Sequence, residues 1–127
     1  IIAGFPTETE EMFLNTMNIV DECGLTFLHV FPYSERPGTP AAKMPQVAPE
    51  LRKERAARLR AKGEERLSEF LIFHVKQLRQ VIVEKDNYGH TEHFAPVRLD
   101  RSLEAGTLVS VETLSVGDGH LNARIAA

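Results

Sequence analysis

Residues 28–45 read LHVFPYSERPGTPAAKMP. The apolar run Leu28 to Phe31 predicts a buried strand. It passes straight into Pro32, Tyr33, Ser34, Glu35, Arg36, Pro37, Gly38, Thr39 and Pro40, a polar exit stiffened by proline. Connections between packed elements usually need only about 4–6 residues. A loop this long and polar does something besides connect, and the strand before it decides how the flanking sequence is read.

Upstream, Ile1 to Ala3 reads as the end of another strand and Gly4-Phe5-Pro6 as a turn. Thr7 and Glu10 have the spacing of a capping box, in which the hydroxyl takes a backbone N–H and the carboxylate reaches back. Met12, Phe13, Thr16, Met17, Val20 and Cys23 then recur at three- and four-residue steps, which marks one face of a helix. Gly24 ends it, because glycine accepts the left-handed conformation found after a helix. Leu25 to Phe31 is the predicted second strand. Strand–helix–strand with tight connections builds parallel sheets, and near-continuous apolar strands fit a sheet covered on both faces. Two parallel strands do not close a sheet, and the chain opens on Ile1-Ile2-Ala3 without an initiator Met. Both features predict a piece of a longer protein with its missing strands upstream.

Downstream, Pro49 suits a first helical turn, and a helix is predicted to about Gln77. Leu51, Leu59, Leu67, Leu71 and Val75 mark its apolar stripe. Gly63 in mid-helix costs roughly 1 kcal/mol against alanine and predicts a kink or break. From Leu78 the period changes to two. Val81 and Val83, Val97 and Leu99, Val109 and Val111, and Leu121, Ala123 and Ile125 alternate with polar residues. Turn chemistry at Asp86–Gly89, Leu103–Gly106 and Gly117–Gly119 separates the runs. Short strands at this spacing predict a small antiparallel barrel. The expected class is α+β: a βαβ remnant over 1–47, a basic helical connector over 48–76 and a β-barrel over 77–127.

The chain has 127 residues, 43% hydrophobic and 26% charged, with a net charge of -3. That balance excludes a nucleic-acid binder that is basic overall and leaves room for a local basic surface. The single cysteine, Cys23, cannot form an internal disulfide, so a reducing cytoplasm is the expected setting. No apolar run approaches the ~20 residues of a membrane span.

Two polar loops leave the same expected sheet edge. GFPTET, residues 4–9, is a glycine turn between a strand end and a helix start, where α/β proteins hold anionic or nucleotide ligands; an ordinary βα turn looks the same. In the second loop, Arg36 either clamps a carboxylate or phosphate through its planar fork or holds the loop by backbone bonds. The basic run Arg52 to Lys62, with Glu54 as its single acid, either tracks a phosphate backbone or forms a solvated helix face. In YGHTEHFAPVRLD, residues 88–100, aromatic and basic side chains cluster as they do on small barrels that bind single-stranded nucleic acid. His90-x-x-His93 lacks a third ligand, so no metal site is expected.

The segments IIAGFPTET and LHVFPYSERPGTPAAKMP, with the barrel behind them, resemble the radical S-adenosylmethionine tRNA methylthiotransferases. The first two look like the last strands of that family's partial TIM-like barrel, and the tail resembles its TRAM domain, a small OB-like barrel that binds tRNA. HVFPYS-x-R-x-GTPAA-x-M is most similar to the branch acting on N6-threonylcarbamoyladenosine. The isopentenyladenosine branch is the runner-up, and a sister branch acts on an aspartate of a ribosomal protein. A pure RNA-binding adaptor with no enzymatic parent is the alternative from another class.

The resemblance implies a parent enzyme that uses S-adenosylmethionine and two 4Fe–4S clusters to add a methylthio group at adenosine C2. The CxxxCxxC motif is absent here and Cys23 matches no cluster ligand, so no catalytic residue, metal ligand or bound cofactor is expected in this chain. Thr7 stands where the family carries glycine, GFPGET. The implied cofactor-side residues are Gly4, Phe5, Pro6, Phe31, Tyr33 and Ser34. Arg36 and Thr39 would lie near substrate, and His90, Thr91, Phe94, Arg98 and Arg101 on the tRNA face. The implied partners are a tRNA anticodon stem-loop and the upstream part of the same enzyme, with self-association of the truncated sheet as a further expectation and no membrane.

Overall fold

A computed structural model describes residues 1–126. The chain divides into two compact units, Ile1–Arg66 and the residues from Leu67 onward.

In the first unit β1 (Ile2–Ala3) pairs in parallel with β2 (Phe31–Pro32). Helix α1 (Glu10–Glu22) lies between them in sequence. Its cap differs from the expected one: Thr9, not Thr7, accepts the N–H of Met12 at 3.2 Å. Thr7 instead adopts φ 70°, inside the turn. Gly24 does stop the helix. Its N–H bonds the Asp21 carbonyl while Leu25 N–H bonds that of Val20, the Schellman arrangement that left-handed glycine permits. Phe13 and Val20 of α1 bury against Ala3, Val30, Ala56 and Leu59.

The second strand is much shorter than Leu25–Phe31. Only Phe31 and Pro32 ladder, because β1 offers only Ile2 and Ala3 as partners. The expected cover on both faces is also missing among the described residues: Ile2 is 55% and Phe31 62% exposed.

Helix α2 (Pro49–Phe73) contributes to both units. It ends at Phe73, four residues before Gln77, where His74–Lys76 turn and Lys76 takes φ 59°. Gly63 does not break it. A Cβ there would lie 3.2 Å from Leu28 side-chain atoms, so glycine admits Leu28 against the helix.

The second unit is a closed barrel of β3 (Leu78–Lys85), β4 (Tyr88–Thr91), β5 (Pro96–Leu99), β6 (Leu108–Val116) and β7 (Leu121–Ile125). Its order is β3-β4-β5-β7-β6, and β5 pairs with β7 in parallel. The barrel is therefore mixed, not antiparallel throughout, and has the five-stranded form of a small OB-like domain. Alternation sends Val81, Val83, Val97, Leu99, Val111, Leu121 and Ala123 inward, joined by Leu71 from the end of α2.

Candidate functional site

Because β1 and β2 are parallel, their exit loops leave side by side. Gly4 is buried at φ 76°, and its N–H donates to Glu8 Oε1 at 3.1 Å. A Cβ on Gly4 would lie 2.4 Å from Cγ of Arg52, so the space over this glycine belongs to that arginine. Thr7 N–H donates to the Pro45 carbonyl at 3.1 Å, tying the first loop to the end of the second. Phe5 meets the Tyr33 ring edge-on at 5.5 Å, and Pro6 is fully buried. Phe31 and Ser34 are exposed on the same edge.

Arg36 and Thr39 lie farther along. The Arg36 carbonyl accepts from Thr39 N–H and hydroxyl at 3.2 and 2.8 Å. The Thr39 hydroxyl also accepts Ala42 N–H at 3.3 Å, which holds the 3-10 turn Ala41–Lys43. Pro32, Tyr33, Ser34, Pro49, Arg52 and Lys53 line an open cavity of about 280 Å³. Pockets that enclose a small molecule run from about 300 to 1,000 Å³. A cavity this small and open can border a ligand but does not enclose one.

Part of the basic run of α2 is turned into the fold, unlike a fully solvated face: Arg55 is 3% exposed and Arg52 is 13% exposed at its side chain, while Lys53 and Arg60 are exposed. Arg52 donates to the carbonyls of Val47 (2.9 Å) and Tyr33 (3.2 Å) and lies over the Tyr33 ring. Arg55 donates to the carbonyl and carboxylate of Glu8 at 3.0 and 2.9 Å. Arg60 reaches the Val30 carbonyl at 3.3 Å, and Lys62 pairs with Asp21. Arg58 bonds Glu10 at 2.8 Å and holds its carboxyl below the usual range, helped by Arg55. The helix thus carries donors that satisfy carbonyls beside β2 and in the loops, at Val30, Tyr33, Glu8 and Val47. The available sequence signal was Ala56, Leu59 and Gly63, an uncharged face on the same side as Arg52.

In the barrel, Tyr88 faces Arg98 across β4–β5, and Arg98 faces Asn122 of β7. His90 is half-buried and donates through Nδ1 to Glu84 at 2.8 Å, with Tyr88 edge-on to its ring. Residues that face one another across a ladder share a side of the sheet. Tyr88, Arg98 and Asn122 therefore form one outward row, and His90 sits in the next row, opposite Ile82 and Pro96. Arg101 is exposed in the segment after β5.

Thr91 is 5% exposed, and its hydroxyl accepts the N–H groups of His93 and Ala95. It holds a turn and does not face solvent. That turn puts Phe94 at φ 63° with 75% of its surface exposed. A bulky residue in the left-handed region costs roughly 1–2 kcal/mol, and such outliers cluster at functional sites.

His74 lies beneath this turn. Its ring stacks 5.1 Å from His93, and its Nδ1 accepts from Arg79 Nε at 3.1 Å. Burial lowers its pKa, the Arg79 charge and His93 lower it further, and Glu92 opposes them. The unfolded chain takes this proton near pH 6.5, while the folded imidazole must stay neutral to accept from Arg79. The contribution of His74 to barrel stability is thus expected to be fully present above about pH 6.5 and to fall as pH drops below it. Urea midpoints at pH 7.5 and 5.5 check this, and His74→Gln should flatten the difference.

His90 and His93 are committed to different partners, and among the described residues no three His, Cys, Asp or Glu side chains are placed to hold a metal ion. Cys23 is exposed at the end of α1. A 4Fe–4S cluster needs several thiolates, so this chain's residues do not fit one. No described helix is long and apolar enough to cross a membrane.

No family model matches the chain. It is 50% identical, over 95% of its length, to a protein of Rickettsia prowazekii named threonylcarbamoyladenosine tRNA methylthiotransferase. A Bacillus subtilis protein of the same name is 35% identical over 92% of the chain. An Erythrobacter litoralis tRNA-2-methylthio-N(6)-dimethylallyladenosine synthase is 37% identical over 94%. The chain spans 29%, 28% and 28% of these relatives, respectively.

Proposed function

The chain belongs to the tRNA methylthiotransferase family, and from that premise we propose that it is the C-terminal segment of an enzyme adding a methylthio group to C2 of N6-threonylcarbamoyladenosine beside the anticodon. The observation that carries this reading is 50% identity over 95% of the chain to a threonylcarbamoyladenosine tRNA methylthiotransferase. The dimethylallyladenosine synthase, at 37%, falls below this relative but is level with the Bacillus subtilis threonylcarbamoyladenosine enzyme at 35%, so the preference for the threonylcarbamoyl substrate rests on the 50% match.

Residues 1–47 then end the radical S-adenosylmethionine barrel of a cytoplasmic parent. Gly4, Phe5, Pro6, Phe31, Tyr33 and Ser34 form one wall of its cofactor site, and Arg36 and Thr39 lie toward substrate. The exposed Ile2 and Phe31 are where the rest of the parent would continue the sheet. S-adenosylmethionine and the iron–sulfur clusters, bound in the parent, would supply the radical and the sulfur, with the cluster ligands outside this chain. Residues 77–127 act as the TRAM domain, reached through the helical connector 48–76. General OB-fold physics puts an oligonucleotide on the second and third strands, here β4 and β5, with His90, Arg98 and Arg101 beside it. Thr91 serves that face by holding Phe94 out for a base.

The test is binding of an anticodon stem-loop RNA across a salt series. Phe94→Gly separates function from fold by opposite signs. Glycine relieves the left-handed strain and should stabilise the barrel by about 0.5–1 kcal/mol. Loss of one stacked base should weaken RNA binding by about 1–3 kcal/mol. A variant that binds RNA as wild type does would remove Phe94 from the interface.

A further inference from the structure

We propose that the cavity at the end of β2 is a second RNA contact, which takes a phosphodiester of the strand between Arg52 and Lys53, at the rim where Ser34 ends the cofactor wall. The site lies wholly within the first unit, and it rests on the reading that the chain binds RNA.

Its floor is already built. Arg52 Nε and Nη1 are committed to the Val47 and Tyr33 carbonyls, at 2.9 and 3.2 Å, so the guanidinium is fixed before any ligand arrives. A planar fork held this way keeps its remaining edge oriented toward an anion at little further entropic cost. That edge, Nη2, is 3.8 Å from Glu35 Oε1, too far for a hydrogen bond, and the Glu35 side chain is half exposed. Lys53, one residue on, is exposed and makes no ion pair among the described residues, unlike Lys62, which pairs with Asp21. Ser34 brings a hydroxyl to the same wall. The lining thus joins two cations and a hydroxyl donor, and among the described residues Glu35 is the only acid paired with Arg52.

The charge pattern of α2 picks out this place. Arg55, Arg58, Arg60 and Lys62 are spent on carboxylates and carbonyls. Lys53 makes no ion pair among the described residues, and it stands beside Arg52, whose pair with Glu35 is long at 3.8 Å. The cavity is open to solvent, so a backbone phosphate can rest against Arg52 and Lys53 while its sugar and base lie outside.

The experiment measures anticodon stem-loop binding to the 127-residue chain across a salt series for wild type, Lys53→Gln and Glu35→Gln. One lost phosphate contact should lower affinity several-fold and reduce the log–log salt slope by about 0.7–0.9. Glu35→Gln removes the competing anion and should raise affinity. Inorganic phosphate separates the sources: a strand contact predicts that it perturbs the Ser34 and Lys53 amide resonances only at concentrations far above those at which RNA does. Wild-type affinity and slope in both variants, with RNA still bound, overturns this site and leaves the RNA-binding reading standing. Phosphate that saturates the amides while RNA leaves them unmoved overturns it equally. No salt-dependent RNA binding by the wild-type chain overturns both.

Discussion

Gly89→Ala is expected to cost the barrel about 3 kcal/mol or more, at the upper end of what overpacking does. Gly89 sits in β4 between Val83 of β3 and Val97 of β5. A Cβ there would lie 2.0 Å from the Ile82 carbonyl oxygen and 3.1 Å from Val81 Cγ1. The first obstacle is backbone, so it cannot swing aside as a side chain would; β3 and β4 must separate. A barrel of about 60 residues is only marginally stable and has little reserve for that. Gly106→Ala is the control. Its Cβ would meet nothing, and its φ of 88° leaves only conformational strain, roughly 1–2 kcal/mol. Urea unfolding followed by far-ultraviolet circular dichroism gives both values. If Gly89→Ala were the milder change, the close approach of β3 and β4 would be refuted.

The contrast between these glycines shows what the sequence made legible. Asp86-Asn87-Tyr88-Gly89 reads as a turn, and a turn does lie there, at Asp86–Asn87; Gly89 itself is inside the strand because a neighbouring backbone crowds it. Alternation says which side chains point inward, so the barrel core from Val81 to Ala123 could be read off. It does not say which strands are neighbours, and the parallel β5–β7 pair was invisible for that reason. The second strand was overestimated because an apolar run measures burial preference, whereas a ladder needs a partner of equal length. Phe94 was picked out for its aromatic ring alone; nothing local predicts a phenylalanine at positive φ. The inward arginines of α2, Arg52 and Arg55, were the least legible. A basic run is ordinarily read as solvent or phosphate, and backbone carbonyls left open in loops carry no letter in the sequence.

Those arginines carry the second large effect. Arg55→Met should destabilise the first unit by about 3–5 kcal/mol, the range for breaking a buried ion pair from one side. The Glu8 side chain is 11% exposed, and its carboxylate would keep only Gly4 N–H as a partner. The double variant Arg55→Met/Glu8→Gln should recover much of the loss, because a neutral amide can still accept from Gly4 without an uncompensated charge. Replacing both members of a buried pair is often near neutral. Arg55 Nε is buried with no hydrogen-bond partner among the described residues, so the pair leaves one donor unsatisfied. Its geometry points to another use. Arg55 grips the carbonyl and carboxylate of Glu8, and Glu8 grips Gly4, so the helix sets the conformation of the GFPTET loop. If so, the double variant should be nearly as stable as wild type yet have a looser loop, with faster hydrogen exchange at Gly4 and Thr7 than in the rest of the unit. A double variant as unstable as Arg55→Met, or one with unchanged exchange at both amides, would limit Arg55 to filling space against Phe13, over whose ring its guanidinium lies at 5.6 Å.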